Sequence, residues 1–115
     1  MVMDLQKVGR NTLVTVGVLT ILSGIGTFFG TLDPLFQEWG AEHLTVLVAI
    51  MKLIIGVLML VNVTRLIGAL VAVSYYGGAA ATHTAFESYN VQFAVVIILT
   101  IALWTGIMAK VHGER

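Results

Sequence analysis

Apolar positions along this chain gather into four long runs with short polar breaks between them. NTLVTVGVLTILSGIGTFFG covers 11–30 and LTVLVAIMKLIIGVLMLVNV covers 44–63. RLIGALVAVSYYGGAAATH covers 65–83 and VQFAVVIILTIALWTGIMAK covers 91–110. A helix crosses the hydrocarbon core with about 20 mostly apolar residues at ~1.5 Å rise each. The pattern therefore predicts four membrane-spanning helices, all within one domain over 1–115. Short connections between them favour an antiparallel, up-down bundle. The expected fold class is all-α: an integral membrane four-helix bundle.

The polar break between the first two runs, TLDPLFQEWGAEH, holds the only proline of the chain. Asp33 is placed to cap a short helix with Pro34 in its first turn. Leu35, Phe36 and Trp39 would lie on the membrane surface, with Gln37 and Glu38 toward water. Trp39 would anchor this interfacial segment. Lys7 and Arg10 precede the first run much as basic residues precede a secretory signal. The run is long for such a signal and no small-residue cleavage site follows, so it reads as a retained span.

Composition agrees with the pattern. The chain is 58% hydrophobic and 10% charged, whereas soluble domains lie near ~45–50% and ~25%. The formal net charge is zero, which points to no nucleic acid partner. The lipid bilayer is the first partner implied. Absence of cysteine excludes disulfides, thiol chemistry and cysteine-held zinc or iron–sulfur centres within the chain.

Charge placement supplies a separate test of the four-span division. An alternating path puts Lys7, Arg10, Arg65, Lys110 and Arg115 on one side. Asp33, Glu38, Glu42 and Glu87 fall on the other, without a lysine or arginine. Basic loops stay cytoplasmic, so both termini are expected inside. The glycines at 17, 24, 26, 30, 56, 68, 77, 78 and 106 are expected to let helix backbones approach, with Gly26 and Gly30 as one small-xxx-small pair.

Lys52 interrupts the second run at its middle, roughly 13 Å from either end at helical rise. A lysine at that depth costs about 2.5–3.5 kcal/mol by insertion scales, so something must offset it. Thr20, Ser23, Ser74, Tyr75 and Thr100 match its depth on the other helices. No acidic residue does. The offset is a polar layer of hydroxyls and carbonyls, a water-filled pocket, a carboxylate on another chain, a bound polar headgroup such as a quinone carbonyl, or loss of the proton. Lys52, Tyr75 and His83 are the candidate residues of such a headgroup pocket. A proton relay is a weaker fit, because relays file several ionisable groups and here there is one.

His43 and His83 fall at the outer rim near Glu42 and Glu87, a weak metal or haem alternative without ligand spacing to support it. His112 lies in the polar tail. Ser74 and Ser88 have no neighbouring His–Asp pair, and neither a P-loop nor a dinucleotide fingerprint is present. No catalytic activity of the chain on its own is expected.

Gly77-Gly78-Ala79-Ala80-Ala81-Thr82-His83 closes the third run, and Ser23-Gly24-Ile25-Gly26-Thr27-Phe28-Phe29-Gly30 closes the first. With Thr64-Arg65 ahead of the third run, this plan resembles the DoxX-like family of small four-helix bacterial membrane proteins. Lys52 stands where that family more typically carries an acidic residue. The resemblance implies a helper in quinone-linked redox systems, such as a subunit of a thiosulfate:quinone oxidoreductase. Three functions follow in order. The first is an accessory or scaffold subunit of a larger membrane complex, among other subunits or as a homo-oligomer. The second is a quinone-binding subunit. The third is a small transporter, which is disfavoured because transport sites sit at broken helices and these spans read as continuous.

Overall fold

The computed structural model describes residues 4–30, 33–40 and 42–113, with the backbone alone at positions 33, 35 and 42. The described residues are all-helical, without a strand. Helix α1 spans Leu5–Phe28, α2 Asp33–Glu38, α3 Thr45–Leu60, α4 Arg65–Ala85 and α5 Val91–Gly113, and a single 3₁₀ turn at Glu42–Leu44 leads into α3. The roles foreseen for the side chains of Asp33, Leu35 and Glu42, and the place of Arg115, lie outside the described residues.

The four long helices form a ring in which α1 and α4 each touch both α3 and α5. Their pairing is antiparallel at every step. A methyl built on Gly17 would meet Met59 Cβ and the Gly56 carbonyl, and one on Gly24 would meet Lys52 Cβ and the Ala49 carbonyl. Gly68 abuts Leu58 and Met59 at the α3–α4 turn, while Gly9 abuts the Lys110 backbone. Gln6 Nε2 donates to the Lys110 carbonyl at 3.3 Å, so the start of α1 and the end of α5 share one end of the ring. The core runs through the middle of this ring, built from Leu13, Val16, Ile55, Met59, Ala69, Ala72, Leu103 and Ile107.

Helix limits differ from the hydrophobic runs for local reasons. α1 begins six residues before position 11, because the Asp4 carboxylate accepts from the Lys7 amide and caps its first turn. Gly30, at φ 94°, takes up the left-handed conformation that follows the end of α1. α3 stops at Leu60, three residues short of 63. There Arg65 turns back: its Nε donates to the Met59 carbonyl at 2.8 Å and its Nη2 to the Leu60 carbonyl at 2.9 Å. Thr64 Oγ1 takes the Leu58 carbonyl at 2.8 Å. These donors satisfy carbonyls that the end of a helix leaves free.

Among the described residues two helices are long and apolar enough to cross a membrane, Leu5–Phe28 and Val91–His112. α3 is apolar but has 16 residues, or ~24 Å of rise. α4 is long enough but is diluted by Ser74, Tyr75, Tyr76, Gly77, Gly78, Thr82 and His83. It runs without a break through the glycine pair.

Two glycines have a different role from the one expected of them. A methyl built on Gly77 or Gly78 meets nothing within 4 Å. They border open space where a packing contact was expected. Gly9, absent from the packing set, is among the tightest positions: a methyl there would lie 2.7 Å from the Lys110 amide nitrogen.

Candidate functional site

The space beside Gly78 is a cavity of about 790 Å³ in the half of the ring away from the chain ends. All four long helices and α2 contribute to its wall. Leu19 and Ser23 come from α1, Val48 and Lys52 from α3, and Val95, Val96 and Leu99 from α5. α4 contributes Ser74, Tyr75, Tyr76, Gly78, Ala79, Thr82 and His83. Phe36 of α2 and Trp39, which follows that helix, line it as well. Its size lies within the ~300–1,000 Å³ usual for small-molecule sites, and its wall is mainly apolar with a few polar groups, as such sites are.

Among the described residues Lys52 is the only Asp, Glu, Lys or Arg in that wall, and it is 4% exposed. Its Nζ donates to Ser23 Oγ at 2.9 Å and to Thr27 Oγ1 at 3.0 Å. Thr27 spends its own proton on the Ser23 carbonyl at 2.8 Å, which frees its lone pairs for the ammonium. Gly24 lies between the two hydroxyl residues, and a methyl built there would sit 3.0 Å from Lys52 Cβ. The small residue thus lets α3 approach closely enough for the lysine to reach both hydroxyls. Both acceptors are neutral, and among the described residues no carboxylate pairs with Lys52. An ammonium has three N–H donors, so one is left after these two bonds.

Of the hydroxyls matched to Lys52 by depth, only Ser23 serves it. Thr20 bonds instead to the Tyr76 hydroxyl at 2.8 Å, and to the Val16 carbonyl at 2.8 Å. Ser74 and Thr100 bond back to their own helix at Leu70 and Val96. Thr27 was not in the depth-matched set. The missed signal was direction: helical side chains lean toward the N-terminus of their helix. For Lys52 this carries the ammonium toward Thr45 and hence toward the C-terminal turn of α1.

Lys52, Tyr75 and His83, the three residues singled out for a headgroup pocket, line this same cavity. Among the described residues nothing bonds the Tyr75 hydroxyl, and its ring packs edge-on against Tyr76 with centroids 5.2 Å apart. His83 is buried, and its Nδ1 donates to the Ser88 carbonyl at 2.9 Å. A carbonyl can only accept, so Nδ1 carries a proton and Nε2 is the free ring nitrogen in the neutral form.

α2 departs from the interfacial role expected of it. Phe36 is 6% exposed and Trp39 packs inward, edge-on to His83 at 4.7 Å and stacked on Phe86 at 5.8 Å. Among the described residues the buried indole nitrogen has no hydrogen-bond partner. Trp39 is partly exposed and also lines the cavity, so its ring stands between that space and the exterior as a lid residue. His43 is exposed, and among the described residues no group of three potential ligands gathers that could hold a metal ion.

Comparison with protein-family models, with curated proteins and with solved structures gives no match.

Proposed function

We propose that this chain crosses a bacterial inner membrane four times, with both ends on the cytoplasmic side, and acts there as a non-catalytic binding subunit. Its cavity would hold an apolar molecule by a polar head placed over Lys52. Convergence of Lys52, Tyr75 and His83 on one cavity carries this reading.

The membrane part rests on the outer faces of the ring. Leu22, Ile54, Ile67 and Ile98, one from each long helix, are all more than half exposed. So complete an apolar exterior is expensive in water and suited to lipid. Lys7, Arg10, Arg65 and Lys110 belong to one end of the ring, and Glu38 and Glu87 to the other. That distribution favours the basic end inside. α3 reaches spanning length when the 3₁₀ turn before it and the residues through 63 are counted with it.

Quinones belong to the ligand class that such a cavity fits, and the DoxX-like resemblance adds a redox-linked assembly as the setting. A role as an accessory subunit is compatible with the small mass outside the helices. Organic extraction of the purified protein, followed by mass spectrometry, tests the binding role. One apolar compound should be recovered in near-stoichiometric amount from wild type and lost from Lys52→Leu. Recovery of nothing above a detergent-only control from wild type would sink the reading.

A further inference from the structure

We infer that the ligand brings its own negative charge: the cavity over Lys52 is built for an apolar carboxylic acid, bound as the carboxylate. This rests on the binding role proposed above and narrows it to one head chemistry.

Charge balance is the first ground. Lys52 is 4% exposed, and among the described residues its ammonium is bonded only to the neutral hydroxyls of Ser23 and Thr27. Hydroxyls satisfy donors but do not cancel charge. In an apolar surrounding an unbalanced ammonium is costly, and a contacting anion is the largest available offset. A neutral carbonyl would take the remaining N–H and leave the charge in place. A carboxylate takes the same N–H through a charge-assisted bond and removes the imbalance.

The wall supplies the second ground. Among the described residues no aspartate or glutamate lines the cavity, so an entering anion meets no like charge from them. The Tyr75 hydroxyl, unbonded among the described residues, is a donor at the same cavity for a second carboxylate oxygen. Third, the remaining wall is largely aliphatic and aromatic. An inorganic anion would find one cation and few further donors, whereas an acid with a hydrocarbon body covers the apolar wall as well.

The probes are dodecanoate, methyl dodecanoate and decylubiquinone, titrated into protein held in phosphatidylcholine nanodiscs. The chain has two tryptophans. Trp104 is absent from the cavity wall, so a Trp104→Phe background leaves Trp39 at the lid as the reporter. Dodecanoate should shift Trp39 emission saturably and bind at least tenfold more tightly than its methyl ester. Lys52→Gln, which keeps donors but not charge, should lose at least tenfold for the acid and leave the ester unchanged. Lys52→Arg should retain the preference for the acid. Equal affinity for acid and ester in wild type would overturn the inference without recourse to any variant. Saturation by decylubiquinone but not by dodecanoate would also overturn it, and would leave the broader binding role standing. If none of the three saturates, the binding role fails along with the inference.

Discussion

The hydroxyls of Thr20 and Tyr76 lie 2.8 Å apart across the diagonal of the ring, joining α1 to α4, which otherwise communicate mainly through α3 and α5. Tyr76 is 4% exposed and Thr20 is fully buried. The bond therefore holds the floor of the cavity against the core beneath it. Its two ends are unequal. Thr20 also donates to the Val16 carbonyl, whereas Tyr76 has no other hydrogen bond among the described residues.

That inequality predicts an order of cost. Tyr76→Phe removes one hydrogen bond and leaves Thr20 satisfied, a loss of about 0.5–1.5 kcal/mol. Thr20→Val strands a buried phenol and should cost about 1–3 kcal/mol. Unfolding of both variants in mild detergent would measure the difference. Equal losses would mean that the tyrosine hydroxyl finds another acceptor in the cavity.

Glycines separate into two kinds that the same assay distinguishes. At Gly9 a methyl would lie 2.7 Å from the Lys110 amide nitrogen and 2.9 Å from its Cα, and a helix backbone cannot yield as a side chain can. Gly9→Ala should push α5 away from α1 and destabilise by about 1–3 kcal/mol, as overpacking does elsewhere. Gly77→Ala meets nothing within 4 Å. It should be neutral or stabilising by up to about 1 kcal/mol, because alanine is the better helix former. Destabilisation by Gly77→Ala would show that the open space there is filled in the working protein.

Much of this arrangement was legible in the sequence, and the remainder fails for identifiable reasons. Long apolar runs with short breaks mark the four long helices. They do not mark helix ends, which Asp4, Gly30 and Arg65 set by capping chemistry that hydropathy ignores. Depth matching found Ser23 for Lys52. It missed Thr27 because it treated the ammonium as level with its own Cα, although the side chain leans along the helix. α2 was misread for a related reason. Phe36 and Trp39 look like surface anchors when only lipid is considered, but a cavity mouth beside them offers a better burial site. The lack of neighbours at Gly77 and Gly78 could not be seen locally, since the same glycine pair suits a packing face.

Orientation can be tested cleanly because the chain has no cysteine. Lys7→Cys, His112→Cys and Tyr89→Cys each introduce a thiol at an exposed position. In intact inner-membrane vesicles of known sidedness, an impermeant maleimide should modify positions 7 and 112 from the cytoplasmic face. Position 89 should react only from the opposite face. Labelling of 7 and 112 from different faces would rule out an even number of crossings.

The lid makes a less intuitive prediction. Trp39 stacks on Phe86 and meets His83 edge-on, yet among the described residues its buried indole nitrogen has no partner. Truncating a large aromatic side chain normally costs about 3–5 kcal/mol. Trp39→Ala should approach the lower part of that range, since the ring contacts with His83 and Phe86 would both be lost. Trp39→Phe keeps an aromatic face on Phe86 and removes the stranded donor. An unsatisfied buried N–H carries a penalty of about 1–3 kcal/mol, so its removal offsets most of the lost area. The phenylalanine variant should therefore lie within about 1 kcal/mol of wild type when thermal unfolding is followed without ligand. A loss above about 2 kcal/mol would mean that the indole N–H is engaged by an acceptor in the working protein. Repeating the measurement with dodecanoate present tests whether the ligand reaches the indole, because binding through Lys52 stabilises wild type and Trp39→Phe alike and a further bond at the indole would stabilise wild type more.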